Sequence, residues 1–346
     1  MSTPSPAKPT GLLRRSVLAL AALGGLALAV PPPASADVVM KLASATINDV
    51  QHEWQKTFAK ELAARVGDQV KVEIYPASQL GTIPRMLEGV LFGTIESFIT
   101  PTSFLVGTEP KFEVFDVPAL FASPEQIGAV LQDPDYQAHL ETLGLDKGLR
   151  VIGAIYNSPI LLLSTEPVRD LADFDGLKVR TFASPLQMQP LASIGASPLP
   201  LPLSEVVPAL QSGNIDAMLA GMPILVAFKF YDVAKYVTDL RLSTVISVNV
   251  VSEAWYQAQS DEVQAAISAA GWAAAAEVLP FGIANVARTD KIWTEKGGEI
   301  IDLPEDQHAE LLADFRKIGI DIIRQKPSVM AELERLEAVI KAHPTN

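Results

Sequence analysis

The chain has 346 residues, with 40 acidic against 27 basic side chains and a net charge of −13. That acidity argues against nucleic acid or anionic lipid as a partner. The absence of cysteine excludes disulfides, thiolate chemistry and cysteine-ligated metals, while the length suffices for two domains of about 150 residues each.

The first 36 residues read as a cleavable signal peptide. Lys8, Arg14 and Arg15 give a positive start, residues 16–30 are almost wholly apolar, and Ala34-Ser35-Ala36 forms an A-x-A cleavage site before Asp37. An apolar run of about 15 residues is short against the roughly 20 that a bilayer span needs. Arg14-Arg15 before Ser16-Val17-Leu18 fits twin-arginine export and ordinary secretory export alike. Either route leads to the periplasm. Loss of the three basic residues leaves 24 basic against 40 acidic residues, a net charge of −16.

Residues 38–44 read as a first strand, and Asn48 or Asp49 can cap the helix that follows. Trp54, Phe58, Leu62 and Val66 fall at intervals of four, an amphipathic stripe facing a core. Gly67-Asp68 stops that helix, and Val70, Val72 and Ile74 then alternate with polar residues as a half-buried strand. A helix begins at Arg85-Met86-Leu87-Glu88 and ends at Gly93, before a strand at residues 95–99. Thr100, Pro101, Thr102 and Ser103 follow that strand and offer only hydroxyls. His52 and His139 have no partner at metal-ligand spacing, so no metal is expected. Residues 151–156 form another strand, near which the chain crosses into a second domain.

Residues 174–223 organise the rest. Asp175-Gly176 makes a turn, a short strand follows at 177–181, and a helix runs over about 185–194, broken at Gly195. Prolines at 198, 200 and 202 keep the next segment extended. Ser204 can cap a further helix, Gly213 can end it, and residues 215–219 give the last strand. This alternation builds parallel sheet, whose ligands sit beyond the carboxyl ends of the strands. Arg180 stands at such an end. Further on, residues 245–251 form a strand returning to the first domain. An alanine-rich helix covers about 261–295 behind Ser260 and ends at Gly297-Gly298. Residues 299–303 are extended, and helices over about 304–324 and 329–341 close the chain.

Several blocks, in one order, resemble the solute-binding proteins of TRAP transporters. They are YPASQLG at 75–81, FEVFDVPALF at 112–121, GLKVR at 176–180, IGASPLPLPLSEV at 194–206, ALQSGNIDA at 209–217 and FYDVAKYV at 230–237. In that family the segment at 112–121 leads back into the first domain's sheet. The resemblance spans about residues 38–335 and implies an α/β, two-lobed periplasmic binding protein of type II-like form. Each lobe would be a mixed, mostly parallel sheet flanked by helices, with a long domain-spanning helix as a spine. The implied division is 37–157 plus 246–285 for the first domain and 158–245 plus 286–346 for the second, with a cleft between them. The implied partners are a small organic acid and two integral membrane subunits, one small and one large. No cofactor is implied.

In proteins of this family an arginine on the strand after D-L-K-G-L-K holds the ligand carboxylate, and that motif falls on Asp173 to Arg180. A guanidinium suits the role because its planar fork donates two parallel hydrogen bonds to a carboxylate. The chain departs from relatives that bind polar acids. Their second arginine, after the strand near Tyr156, is replaced by Ile160, and their D-G-Q-E-N-P by DAMLAG at 216–221. The expected ligand-contacting set is therefore Arg180 with Phe182, Leu203, Ile160, Met218, Leu219, Ala220 and Tyr156, joined by Thr100 and Thr102. Such a pocket disfavours a sugar acid and suits a monocarboxylate with an apolar or aromatic body. Two other readings share the fold: a sensing protein that docks on a membrane receptor, and a binder of a non-acidic apolar ligand. An enzyme is disfavoured, since G-x-S-x-G, H-E-x-x-H, P-loop and strand-following G-x-G-x-x-G motifs are missing.

Overall fold

The computed structural model describes residues 38–345; the expected signal peptide lies outside the described residues. Its strands are β1 (Val38–Ser44), β2 (Val70–Tyr75), β3 (Ser97–Pro101), β4 (Leu149–Pro159) and β5 (Leu161–Ser164). They continue as β6 (Lys178–Thr181), β7 (Ser197–Pro200), β8 (Ala217–Ala220), β9 (Tyr236–Asp239), β10 (Thr244–Ser252) and β11 (Glu299–Asp302). Two sheets result, ordered β2-β1-β3-β10-β4 and β11-β9-β5-β8-β6-β7. One strand in each runs against the others, β10 in the first sheet and β5 in the second. The architecture is the expected two-lobed α/β form with mixed, mostly parallel sheets.

Strand alternation sends neighbouring side chains to opposite faces, so each sheet is covered by apolar packing on both sides. In the first sheet Phe98 packs on one face and Ile99 on the other. In the second, Val179 and Leu219 face one side, Met218 and Ala220 the other. The helix Val50–Val66 lays Trp54, Phe58, Leu62 and Val66 into the first lobe. Of the two candidate caps, Asp49 fills the role, accepting from the His52 N–H at 3.1 Å.

The chain passes between lobes at Ile160, linking β4 to β5, and again at residues 240–243, linking β9 to β10. These crossings are tied together, since the Ile160 N–H donates to the Ser243 carbonyl at 2.9 Å. The helix Asp261–Glu295 is the spine. Ser260 caps it by accepting from the Val263 N–H, and Asp261 and Glu262 sit favourably in its positive first turn. Its first half packs Ala270 and Ala274 against Trp54 and Phe58, and its far end buries Trp293 in the second lobe. By length and composition this helix could cross a membrane, yet half of its most apolar window is buried against protein.

Several boundaries differ from the sequence expectation. Residues 112–121 contribute no strand; Pro110–Asp116 is a tight helical segment that buries Phe112, Val114 and Phe115 in the first lobe. Ser204 does not cap its helix, which starts at Leu203 behind Pro202 without a side-chain cap. The segment expected at 95–99 is strand over Ser97–Pro101, and that at 215–219 over Ala217–Ala220. The last helix, Pro327–Ala342, packs Val329, Leu333 and Leu336 with the first lobe.

Candidate functional site

A cavity of about 560 Å³, its mouth included, lies between the lobes and draws walls from both. Ala45, Thr46, Asp49, Gln51, Pro101 and Phe104 come from the first lobe. Arg180, Phe182, Leu203, Ala220 and Ile224 come from the second, while Asn157, Ser158 and Val245 flank the crossings. The lining is mostly apolar, as is usual for small-molecule sites, with a few polar groups available to orient a ligand.

Arg180 is delivered by β6, paired in parallel to β7 and β8 on either side. Its side chain is only 1 % exposed. Nε donates to the Leu201 carbonyl at 2.8 Å and Nη1 to the Leu219 carbonyl at 3.1 Å. The guanidinium carbon lies 4.8 Å from the Phe182 ring centre and 5.9 Å from that of Phe104. The two rings meet at 5.4 Å, a contact made across the lobes. Among the described residues no carboxylate pairs with Arg180. Burial therefore pushes its pKa down to about 9, still leaving it charged at neutral pH. The carbonyls and ring faces orient the cation without neutralising it, so the cavity holds an unmet positive charge.

Of the expected contact residues, the structure brings Arg180, Phe182, Leu203 and Ala220 together in this cavity. The others lie elsewhere. Met218 and Leu219 point to opposite faces of the second sheet and are packed in its two cores; only Ala220, at the strand end, reaches the cavity. Leu219 contributes through its carbonyl alone. Ile160 is buried in the second-lobe core at the crossing, 1 % exposed. Tyr156 is packed in the first-lobe core and borders a different cavity. Thr100 and Thr102 are buried beside the lining, where Pro101 and Phe104 stand instead.

Sequence reasoning missed Asp49, Thr46, Gln51, Asn157 and Phe104. Asp49 was legible as a helix cap, but a cap has two carboxylate oxygens and needs only one. Asn157 directly follows Tyr156 and points the other way, as strand alternation requires. Asp116 forms a second polar feature away from the cavity. Its Oδ1 accepts from Ser103 Oγ at 2.7 Å and from Gln187 Nε2 at 3.1 Å, joining the first lobe to the helix Pro185–Ser193 of the second. Burial raises its pKa to about 6 despite these bonds and the neighbouring Ser184 hydroxyl. No cluster of three acidic or histidine side chains arranged to hold a metal occurs among the described residues.

The sequence profile of bacterial extracellular solute-binding proteins, family 7, matches residues 43–324. The chain belongs to that family. This family 7 protein is 29% identical over 271 residues to the 2,3-diketo-L-gulonate-binding periplasmic protein YiaO of Escherichia coli, covering 77% of this chain and 78% of that one. Its fold is shared with TRAP periplasmic solute-binding proteins of known structure. The protein from Desulfovibrio salexigens with bound orotic acid superposes with a TM-score of 0.81 at 22% identity, covering 87% of this chain and 99% of the other. The one from Haemophilus influenzae with bound L-gulonate gives 0.82 at 20% identity, covering 87% and 99%. The family 7 protein thus shares its sequence profile with bacterial extracellular solute-binding proteins and its architecture with TRAP periplasmic solute-binding proteins.

Proposed function

We propose that this protein captures a small organic carboxylate in the periplasm and delivers it to the two integral membrane subunits of a TRAP-type transporter. Residues 1–36 would direct export and be cleaved from the exported chain. The single observation that carries the reading is Arg180, fully buried in an interlobe cavity with its charge unmet by any side chain. Leaving a cation buried and unpaired is costly. A ligand carboxylate would supply the missing anion through the guanidinium's remaining N–H groups.

The walls argue for what the rest of the ligand is. Val50, Ile83, Phe104, Phe182, Leu203 and Ile224 present apolar surface and no donor to a hydroxyl-rich chain. We infer a monocarboxylate whose body is largely apolar or aromatic. YiaO and the gulonate-bound relative take sugar acids by name, so the inference is a departure within the family and rests on these side chains.

Within this reading the domain division is a proposal too: 37–157 with 246–285 against 158–245 with 286–346. The hinge would lie at Ile160 and residues 240–243, where two crossings share a backbone hydrogen bond. The helix Pro327–Ala342 is the exception within the second range: it packs on the first lobe and would move with that lobe.

Calorimetric titration of the purified protein with aromatic and branched monocarboxylates, and with sugar acids, tests both levels. Monocarboxylates should bind, and Arg180→Ala should weaken them by about 2–5 kcal/mol with the fold intact. Tight binding of sugar acids alone would overturn the apolar-body reading. Affinity unchanged in Arg180→Ala would remove Arg180 from the site and with it the carboxylate.

A further inference from the structure

The first lobe brings into the same cavity as Arg180 a second charged group without a counter-ion. Asp49 is 2 % exposed and lines the cavity. Its Oδ1 is occupied in capping the helix Val50–Val66, where it accepts from the His52 N–H. Its Oδ2 is buried and accepts no hydrogen bond among the described residues. No lysine, arginine or histidine forms an ion pair with it there, and Arg180 is not its partner. Burial raises its pKa to about 6, against the His52 N–H, the Thr46 hydroxyl and the nearby Asp49 and Gln51 N–H groups, which favour the charged form. Gln51 Oε1 and Asn157 Oδ1, two more cavity-lining oxygens, also lack partners. Either of those amides can turn to offer its NH₂ group instead, whereas an ionised Asp49 can only accept.

The cavity therefore carries two opposite buried charges, one from each lobe, with no ion pair between them. A simple monocarboxylate would satisfy Arg180 and leave Asp49 stranded in a site closed further to water by the ligand itself. We propose that the ligand is a zwitterion: its carboxylate goes to Arg180, and an ammonium or other cationic N–H group at the far side of an apolar body goes to Asp49 Oδ2. This refines the ligand class and rests on the carboxylate reading above. The site as a whole is then neutral, charge for charge, with a neutral ligand. Thr46, Gln51 and Asn157 supply further acceptors for the remaining N–H groups.

The test uses matched compounds that differ in one group, titrated calorimetrically into the purified exported chain at pH 7.5. One set is 4-(aminomethyl)benzoate, 4-(hydroxymethyl)benzoate, 4-methylbenzoate and 4-methylbenzylamine. A second set is 5-aminopentanoate, 5-hydroxypentanoate, pentanoate and pentylamine, with leucine against 4-methylpentanoate for a shorter charge separation. The amino acid should lead its set by about tenfold or more over the carboxylate-only member. Asp49→Asn should erase that lead, weakening the amino acid about tenfold or more while the carboxylate-only member binds at least as well as before, because no buried anion is then left stranded. Asparagine caps helices as well as aspartate does, so this variant keeps the fold. Carboxylate-only or hydroxyl members binding as well as the amino acids would overturn the zwitterion and leave carboxylate capture standing. An amine-only member binding best, or no member binding, would overturn both. A lead that survives Asp49→Asn would remove Asp49 from recognition.

Discussion

Arg180 is a side chain that the fold holds firmly in place and leaves without a counter-ion among the described residues. Two carbonyls and two ring faces hold it, and each of these contacts depends on the planar, delocalised shape of guanidinium. Lysine would keep the charge but present a compact ammonium without a fork and without a stacking plane. Arg180→Lys should therefore lose ligand affinity by about 1–3 kcal/mol while the chain still folds. Calorimetry on the variant, with circular dichroism as the fold check, would show this; wild-type affinity in the lysine variant would mean that charge alone suffices. Asp49 makes the complementary point. A cap residue is normally explained by its local helix, yet Asp49 also lines the interlobe cavity with one oxygen unbonded.

At the scale of elements, the spine helix depends on how closely it approaches β4. A Cβ on Gly271 would sit 1.9 Å from the Ile152 carbonyl oxygen, a backbone atom of the edge strand β4. The helix is also tied at this point by Trp54 Nε1, which donates to the Gly271 carbonyl at 3.2 Å. Alanine would gain about 1 kcal/mol of helix propensity at an exposed site. Here overpacking, about 1–3 kcal/mol and at the upper end against immovable backbone, outweighs that gain. Gly271→Ala should thus lower the midpoint of urea unfolding, and a raised midpoint would show that the helix can slide off the sheet. A similar restriction operates at Gly221, whose added Cβ would lie 1.8 Å from Ser158 Oγ at the cavity wall.

For the whole molecule, lobe contact is a sum of few polar bonds over apolar packing, and Asp116 is the buried acid among them. Its folded-state pKa of about 6 lies above the ordinary value of 3.8. The folded state therefore binds the extra proton, and this group's contribution to stability is full below about pH 4 and is lost as pH rises through about 6. Asparagine keeps an oxygen for Ser103 and Gln187 and has no charge to desolvate. The stability of Asp116→Asn relative to wild type should rise by about 2–3 kcal/mol between pH 4 and pH 7. Urea unfolding of both proteins at the two pH values measures it; a pH-independent difference would show that the Asp116 carboxyl is not protonated in the folded state. Glu113, which raises the same pKa, is itself paired to Lys326 and belongs to the comparison unchanged.

The sequence by itself determined the local elements and the place of Arg180 at a strand end. Trp54, Phe58, Leu62 and Val66 declared their helix, Ser260 its cap, and the prolines around residue 200 their extended strand, because each rests on near-neighbour sterics and periodicity. Arg180 was legible because a strand end in an α/β sheet is a place fixed by topology. Which other side chains share its cavity was decided only by the tertiary structure. A cavity wall is assembled from distant segments, and a one-residue step along β8 separates Ala220, which lines it, from Leu219, which is core. The same dependence hid Asp49. Its unoccupied oxygen gains meaning only when the second lobe sets a cation into the same enclosed space, since a charge costs energy by being removed from water and no linear reading records that removal.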